Sequence, residues 1–186
     1  MIKPFHFLAA AALSAACLAG CANVTTSAAR EVTPDALVVP AGQTLMLKTQ
    51  ASGVQIYRCQ PAKDDATHFE WALRAPEADL SDDLGNPIGK HYAGPTWEAA
   101  DGSRVVGEVK GRDNGPDPTA IPWLLLAAKS NSDNGVFAAV RYVQRLHTVG
   151  GKAPPDGCDT AHVGTETRVA YKADYYFYSA TPAATP

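Results

Sequence analysis

The stretch "VQIYRCQ", residues 54–60, decides the fold. Val54, Ile56 and Arg58 fall on one side and Gln55, Tyr57 and Cys59 on the other, a period of two instead of the 3.6 of a helix. Working outward, "RVVGEVKG" (104–111) repeats the pattern, with Val105, Gly107 and Val109 facing away from Val106, Glu108 and Lys110. Asp101-Gly102-Ser103 separates it from "GPTWEAA" with the composition of a tight turn. Further on, "IPWLLLAAKS" and "GVFAAVRYVQRLHTV" flank the turn-forming run Asn131-Ser132-Asp133-Asn134-Gly135. "RVAYKADYYFYS" closes the series with the aromatic content common in strands. Fifteen glycines and fourteen prolines interrupt the chain too often for long helices. The exception is "FAAVRYVQRL" (137–146), ten residues that suit one short helix ended by Gly150-Gly151. The pattern predicts a single all-β domain, a sandwich or a barrel, with at most that helix added.

The amino terminus has a different character. Met1–Phe7 carries one lysine, Lys3, and an uncharged alanine-rich run follows from Leu8 to Leu18. The run is shorter than the roughly 20 apolar residues that span a bilayer, and its layout is that of a secretory signal over residues 1–20. It ends in Leu18-Ala19-Gly20-Cys21, which resembles the bacterial lipobox. That resemblance implies cleavage before Cys21 and lipidation of its thiol and amino group, enough acyl chains for stable attachment. Cleavage near Ala28-Ala29 would instead release a soluble protein, and Cys17 fits less well because Ser14 stands where a branched apolar residue is expected. Ala22, in place of an aspartate after the lipidated cysteine, implies the outer membrane, facing the periplasm, in a host with two membranes. Residues 21–35 are small and polar and read as a tether, 36–179 as the β-domain, and 180–186 as a frayed tail.

The formal charge is −3, and loss of Lys3 with the signal makes it one unit more negative. The broad basic face of a nucleic-acid binder is absent. Of four cysteines, Cys17 leaves with the signal and Cys21 takes lipid, so the exported domain keeps Cys59 and Cys158. Outside the cytosol such a pair is normally bridged. The competing metal or redox reading lacks a Cys-x-x-Cys or clustered His/Cys spacing.

Taken together, "SGVQIYRCQ", "FEWALRAPEADLSDDLGNPIGKHYAGPTWEAADGSRVVGEV", "AIPWLLLAA", "VQRLHTVGGKAPPDGC" and "YKADYYFYS" resemble the bacterial and fungal domain of unknown function 3455, in the same order from about Val39 to Ser179. The resemblance implies no activity and no catalytic residue. Some fungal relatives carry a malate-dehydrogenase label, but the Gly-x-Gly-x-x-Gly phosphate turn and the alternating βα pattern that would house it are missing.

Chemistry-bearing residues concentrate in "GKHYAGPTWEAADGSRVVGEV" (89–109). His91, Tyr92, Trp97, Glu98 and Arg104 are the candidate ligand-binding set, projecting from the loop end of a hairpin into a groove. Structurally, the same residues read as loop decoration, a core tryptophan and a Glu98–Arg104 surface pair. Should the protein be an envelope hydrolase, His91 and Glu98 are the candidate acid/base pair. The four histidines beyond the signal, His68, His91, His147 and His162, are widely spaced, so no metal and no cofactor is expected. A Gly-x-Ser-x-Gly elbow is also missing. "AIPWLLLAA" reads as a buried strand, or else as an exposed patch for an apolar ligand. The expectation is a lipid-anchored β-domain that binds a small molecule, glycan or protein partner, with an enzyme and a purely structural envelope protein as alternatives.

Overall fold

A computed structural model describes residues 33–182. The signal segment, Cys21, most of the tether and the last four residues lie outside the described residues. Eight strands follow one another: β1 (Gln43–Pro61), β2 (Phe69–Ser81), β3 (Pro87–Tyr92), β4 (Thr96–Ala99), β5 (Arg104–Asp113), β6 (Trp123–Asn131), β7 (Val140–Gly150) and β8 (Glu166–Ala180). Each pairs antiparallel with the next, and β8 closes on β1, giving an up-and-down barrel. Closure gives every strand a partner on both sides over at least part of its length, where a sandwich would leave whole strands at free edges.

The "VQIYRCQ" alternation sits in β1 as read, with Gln55, Tyr57 and Cys59 buried. Both hairpins marked by turn residues form, β4 to β5 around Asp101–Ser103 and β6 to β7 around Asn131–Gly135. The expected short helix does not. Among the described residues there is no α-helix, only 3-10 turns at Asp35–Leu37 and Thr160–His162, and residues 137–146 form a turn running into β7. Alanine favours a helix there, but extended pairing places Val143 between Leu126 and Phe177, and Phe137, Val140 and Val143 are then all fully buried. Burial outweighs the propensity difference, which is under about 1 kcal/mol per residue.

"WLLL" at the start of β6 is buried on both faces for two separate reasons. Leu124 and Leu126 point into the barrel and join Trp97, Val143, Tyr175 and Phe177. Trp123 and Leu125 point outward and would face water, but Leu37 plugs over them, fully buried beside Leu146. The Gln144 Nε2 fixes this plug by donating to the Leu37 carbonyl at 2.7 Å.

Cys59 and Cys158 form a disulfide with Cα atoms 5.3 Å apart, across a separation of 99 residues. It straps the loop between β7 and β8 against β1 and β2. The Trp71 indole N–H donates to the Asp156 carbonyl at 2.9 Å on the same strap.

The wall is uneven. β1 and β8 stay paired from Gln43↔Ala180 to Arg58↔Glu166 with one slip. β3 and β4 are far shorter than their neighbours. β2 pairs with β3 only from Ala78 to Ser81, so the half of β2 before Ala78 has no strand on that side. Similarly, β5 pairs with β4 only through Arg104, Val105 and Val106. A lateral gap therefore lies beneath the tip of the β3–β4 hairpin, bounded by the first half of β2 and the second half of β5. Register slips bring an extra residue into each border, Arg74 in β2 and Lys110 in β5, and such bulges re-aim side chains at barrel rims.

Candidate functional site

The site is built from the β3–β4 hairpin and what lies behind it. Gly94 takes φ 96°, a conformation L side chains rarely adopt, and turns the chain sharply before Pro95. The register His91↔Trp97 and Glu98↔Arg104 then sorts the five sequence candidates onto two faces.

His91 and Trp97 go inward. Their rings stack with centroids 4.5 Å apart and planes 16° from parallel, and the Trp97 ring meets Tyr175 edge-on at 5.3 Å. Gly107 makes room for the indole: a Cβ there would lie 3.0 Å from Trp97 Cζ3. The His91 Nδ1 lies 2.9 Å from the Thr96 carbonyl, an acceptor only, so Nδ1 carries the proton. Burial lowers the His91 pKa to about 3 from the ordinary 6.5, with the Arg145 charge acting in the same direction and the Thr96 bond opposing. The ring is neutral at physiological pH.

Tyr92, Glu98 and Arg104 go outward and satisfy one another. The Tyr92 hydroxyl donates to Glu98 Oε2 at 2.7 Å, and Arg104 Nε donates to the same oxygen at 2.8 Å. Arg104 and then Tyr92 hold the Glu98 carboxyl below its usual range. Glu98 is thus a committed acceptor on the outer wall, while His91 lies inside it. The structure brings together His91 with Trp97, and Tyr92 with Glu98 and Arg104, but not the two groups with each other.

Behind the lateral gap lies a cavity of about 280 Å³. Leu73, Arg74, Ala75 and Pro76 of β2 form one lip, Val109 and Arg112 of β5 the other, and Gly94-Pro95 the top. Its depth is formed by Gln55, His91, Trp97, Leu124, Leu126, Arg145 and Tyr175. The pairings Leu124↔Arg145 and Arg145↔Tyr175 put the arginine on the same inward face as its apolar neighbours. Its Nε and Nη2 both donate to the Pro122 carbonyl, at 3.1 and 2.8 Å. Gln55 Nε2 and Trp97 Nε1 are buried with no hydrogen-bond partner. The Tyr175 hydroxyl, close enough to Tyr171 and Arg145 to feel both, also lacks a bond of good geometry. A wider depression of about 790 Å³ lies over β2 to β4, lined by Asp79, Gly85, Gly89, Lys90 and Glu98 among others, and half of its lining residues are exposed. The smaller cavity is the stronger candidate because buried polar groups are ordinarily satisfied, and here several are not.

The family described as "Protein of unknown function (DUF3455)" matches residues 40–179. The chain belongs to DUF3455. Those residues take in all eight strands but the final residue of β8, so the DUF3455 domain and the barrel coincide. Neither a curated protein nor a solved structure matches this DUF3455 chain.

Sequence reasoning missed Gln55, Arg145 and the β2 lip. For two of them a signal was present. Gln55 shares the inward face of "VQIYRCQ" with Tyr57 and Cys59, and Arg145 follows Val143 at strand spacing in "AVRYVQRL". A polar or charged residue on the buried face of a strand marks a site. The helix expectation for residues 137–146 hid the second. Among the described residues no group of three or more His, Cys, Asp or Glu side chains is arranged to hold a metal.

Proposed function

We propose that this DUF3455 protein is an exported, lipid-anchored binding protein that admits one small molecule through the lateral gap and holds it against Trp97. The reading is carried by one observation: a cavity of about 280 Å³ whose depth contains buried donors, Gln55 Nε2 and Trp97 Nε1, left without acceptors. Leaving such a group unsatisfied costs about 1–3 kcal/mol, an expense that a bound acceptor would recover. Eight-stranded barrels have interiors either just filled by side chains or wide enough for one small ligand. The volume lies just below the roughly 300–1,000 Å³ typical of ligand sites, which favours a compact molecule over an oligosaccharide. The separation of His91 from Glu98 across the wall gives no support to joint acid/base catalysis, which needs both within reach of one reacting atom.

Thermal-shift screening of compact molecules against the mature protein and a Val109→Trp variant, which fills the gap from its β5 lip, where Val109 pairs with inward-facing Leu126, tests the reading. Ligands that stabilise the wild type and not the variant are expected. Absence of any binder below millimolar Kd, or equal binding by both proteins, would overturn it. Anchoring through Cys21 is tested by fractionation: Cys21→Ser should move the protein from the membrane to the soluble fraction, and unchanged association would refute the anchor.

A further inference from the structure

We propose that the ligand of the gap is a small organic anion, its charged head bound by Arg145 and its apolar body laid against Trp97, Leu124 and Leu126. The inference rests on the small-molecule reading above and adds the ligand's charge. Three arginines, Arg74, Arg112 and Arg145, line the cavity, and no aspartate or glutamate does. Arg74 reaches Glu166 only at 3.9 Å, between two exposed side chains, whereas Arg112 and Arg145 have no carboxylate partner among the described residues. Arg145 is the deepest of the three, on the inward face beside Leu124 and Tyr175. Two of its five N–H groups go to the Pro122 carbonyl, a neutral acceptor, and none to a carboxylate. A half-buried guanidinium without a counter-charge is an unfavourable arrangement that an anion would relieve. Its planar fork matches a carboxylate or a phosphate equally well.

The neighbours sharpen the choice. Trp97 Nε1 is a donor only, and the unpartnered atom of Gln55 is its NH2. A neutral polyol would bring donors along with acceptors, and the lining offers it no carboxylate to receive them. A cation would face three like charges. The remaining walls, Leu73, Ala75, Val109, Leu124 and Leu126, are apolar and call for an apolar body. Leu73 and Val109 are 59% and 49% exposed at the two lips, which leaves an apolar margin on the access route.

Four probes sharing one ring and differing in head group test this: benzoate, phenyl phosphate, benzyl alcohol and benzylamine, titrated into the mature protein and followed by calorimetry and tryptophan fluorescence. Benzoate or phenyl phosphate should bind at least tenfold tighter than benzyl alcohol, and benzylamine more weakly still. The tighter of the two anions tells a carboxylate site from a phosphate site. Arg145→Gln should weaken benzoate and phenyl phosphate at least tenfold and so erase the preference for the anions over benzyl alcohol. Should that variant fail to fold, Arg145→Lys, which keeps the charge and loses the fork, should weaken the favoured anion severalfold and keep its rank above the alcohol. Equal binding of anion and alcohol, insensitive to either substitution, would overturn the anion inference and leave the cavity reading standing. If none of the four binds, or if all bind equally well to Val109→Trp, both fall.

Discussion

The two sides of this barrel wall are made differently. On the β1–β8 side, long strands pair nearly end to end and a disulfide straps the adjoining loop, and next to it the outer face of β6 and β7 carries its own small core under Leu37. On the β3–β4 side the strands are short, their neighbours overrun them, and the residues behind the gap include donors with nothing to donate to. Where the ladder is complete, the backbone finds its strand partners and the wall is structural. Where it stops short, partners are missing and a ligand has somewhere to go.

The sharpest way to break this contrast is to weaken the strapped side. Replacing Cys59 and Cys158 by alanine frees a loop of about 100 residues and should lower unfolding free energy by about 4.7 kcal/mol in the chain-entropy account. Paired denaturant titrations measure it, and a loss near zero would show that the strap holds nothing.

Acid should attack the other side. His91 titrates at about 3 when folded and near 6.5 when unfolded, so the unfolded chain takes up the proton first. Its contribution is complete above pH 6.5 and is lost as pH falls from there toward 3, about 2 kcal/mol by pH 5. Urea midpoints at pH 7 and pH 5 read this loss. His91→Gln should flatten the profile, and an unchanged profile would place the acid sensitivity elsewhere.

A pair of conservative changes on β8 compares a bonded hydroxyl with one that faces the cavity. Tyr178→Phe removes a hydroxyl that donates to Gln144 Oε1 at 2.6 Å and should cost about 1 kcal/mol. Tyr175→Phe removes one without a bond of good geometry and should leave stability within about 0.5 kcal/mol of the parent. Equal costs would erase the distinction between the satisfied and the unsatisfied hydroxyl. The smallest effect is expected from Glu98→Gln. It loosens the contacts with Arg104 and Tyr92 on the outer surface and should leave both the melting curve and the affinity for the ring probes unchanged.

Much of the scaffold was legible in the sequence, because period-two alternation is a local property and turn residues fall where strands end. "VQIYRCQ" and the Asp101–Ser103 turn follow from it, while the bridge between Cys59 and Cys158 follows from the even pair of cysteines left beyond residue 21. The choice of a barrel over a sandwich was not legible, since it depends on β8 meeting β1 across most of the chain. Nor was the site. His91 and Trp97 were singled out, but Tyr92, Glu98 and Arg104, chosen with them by proximity, point the other way because neighbours in a strand face opposite sides. Arg145 and Gln55 reach the same cavity from strands far apart in sequence, and only closure of the sheet brings them together.

The Leu37 plug has a mechanical consequence. A chain pulled from its amino end would load the contacts of Leu37 with Trp123, Leu125 and Leu146, and the Gln144 clasp, before any force reached the first rung of the barrel at Gln43. A domain held by that end and tugged by moving surroundings would yield first at a replaceable latch, leaving the ring of strands unstressed.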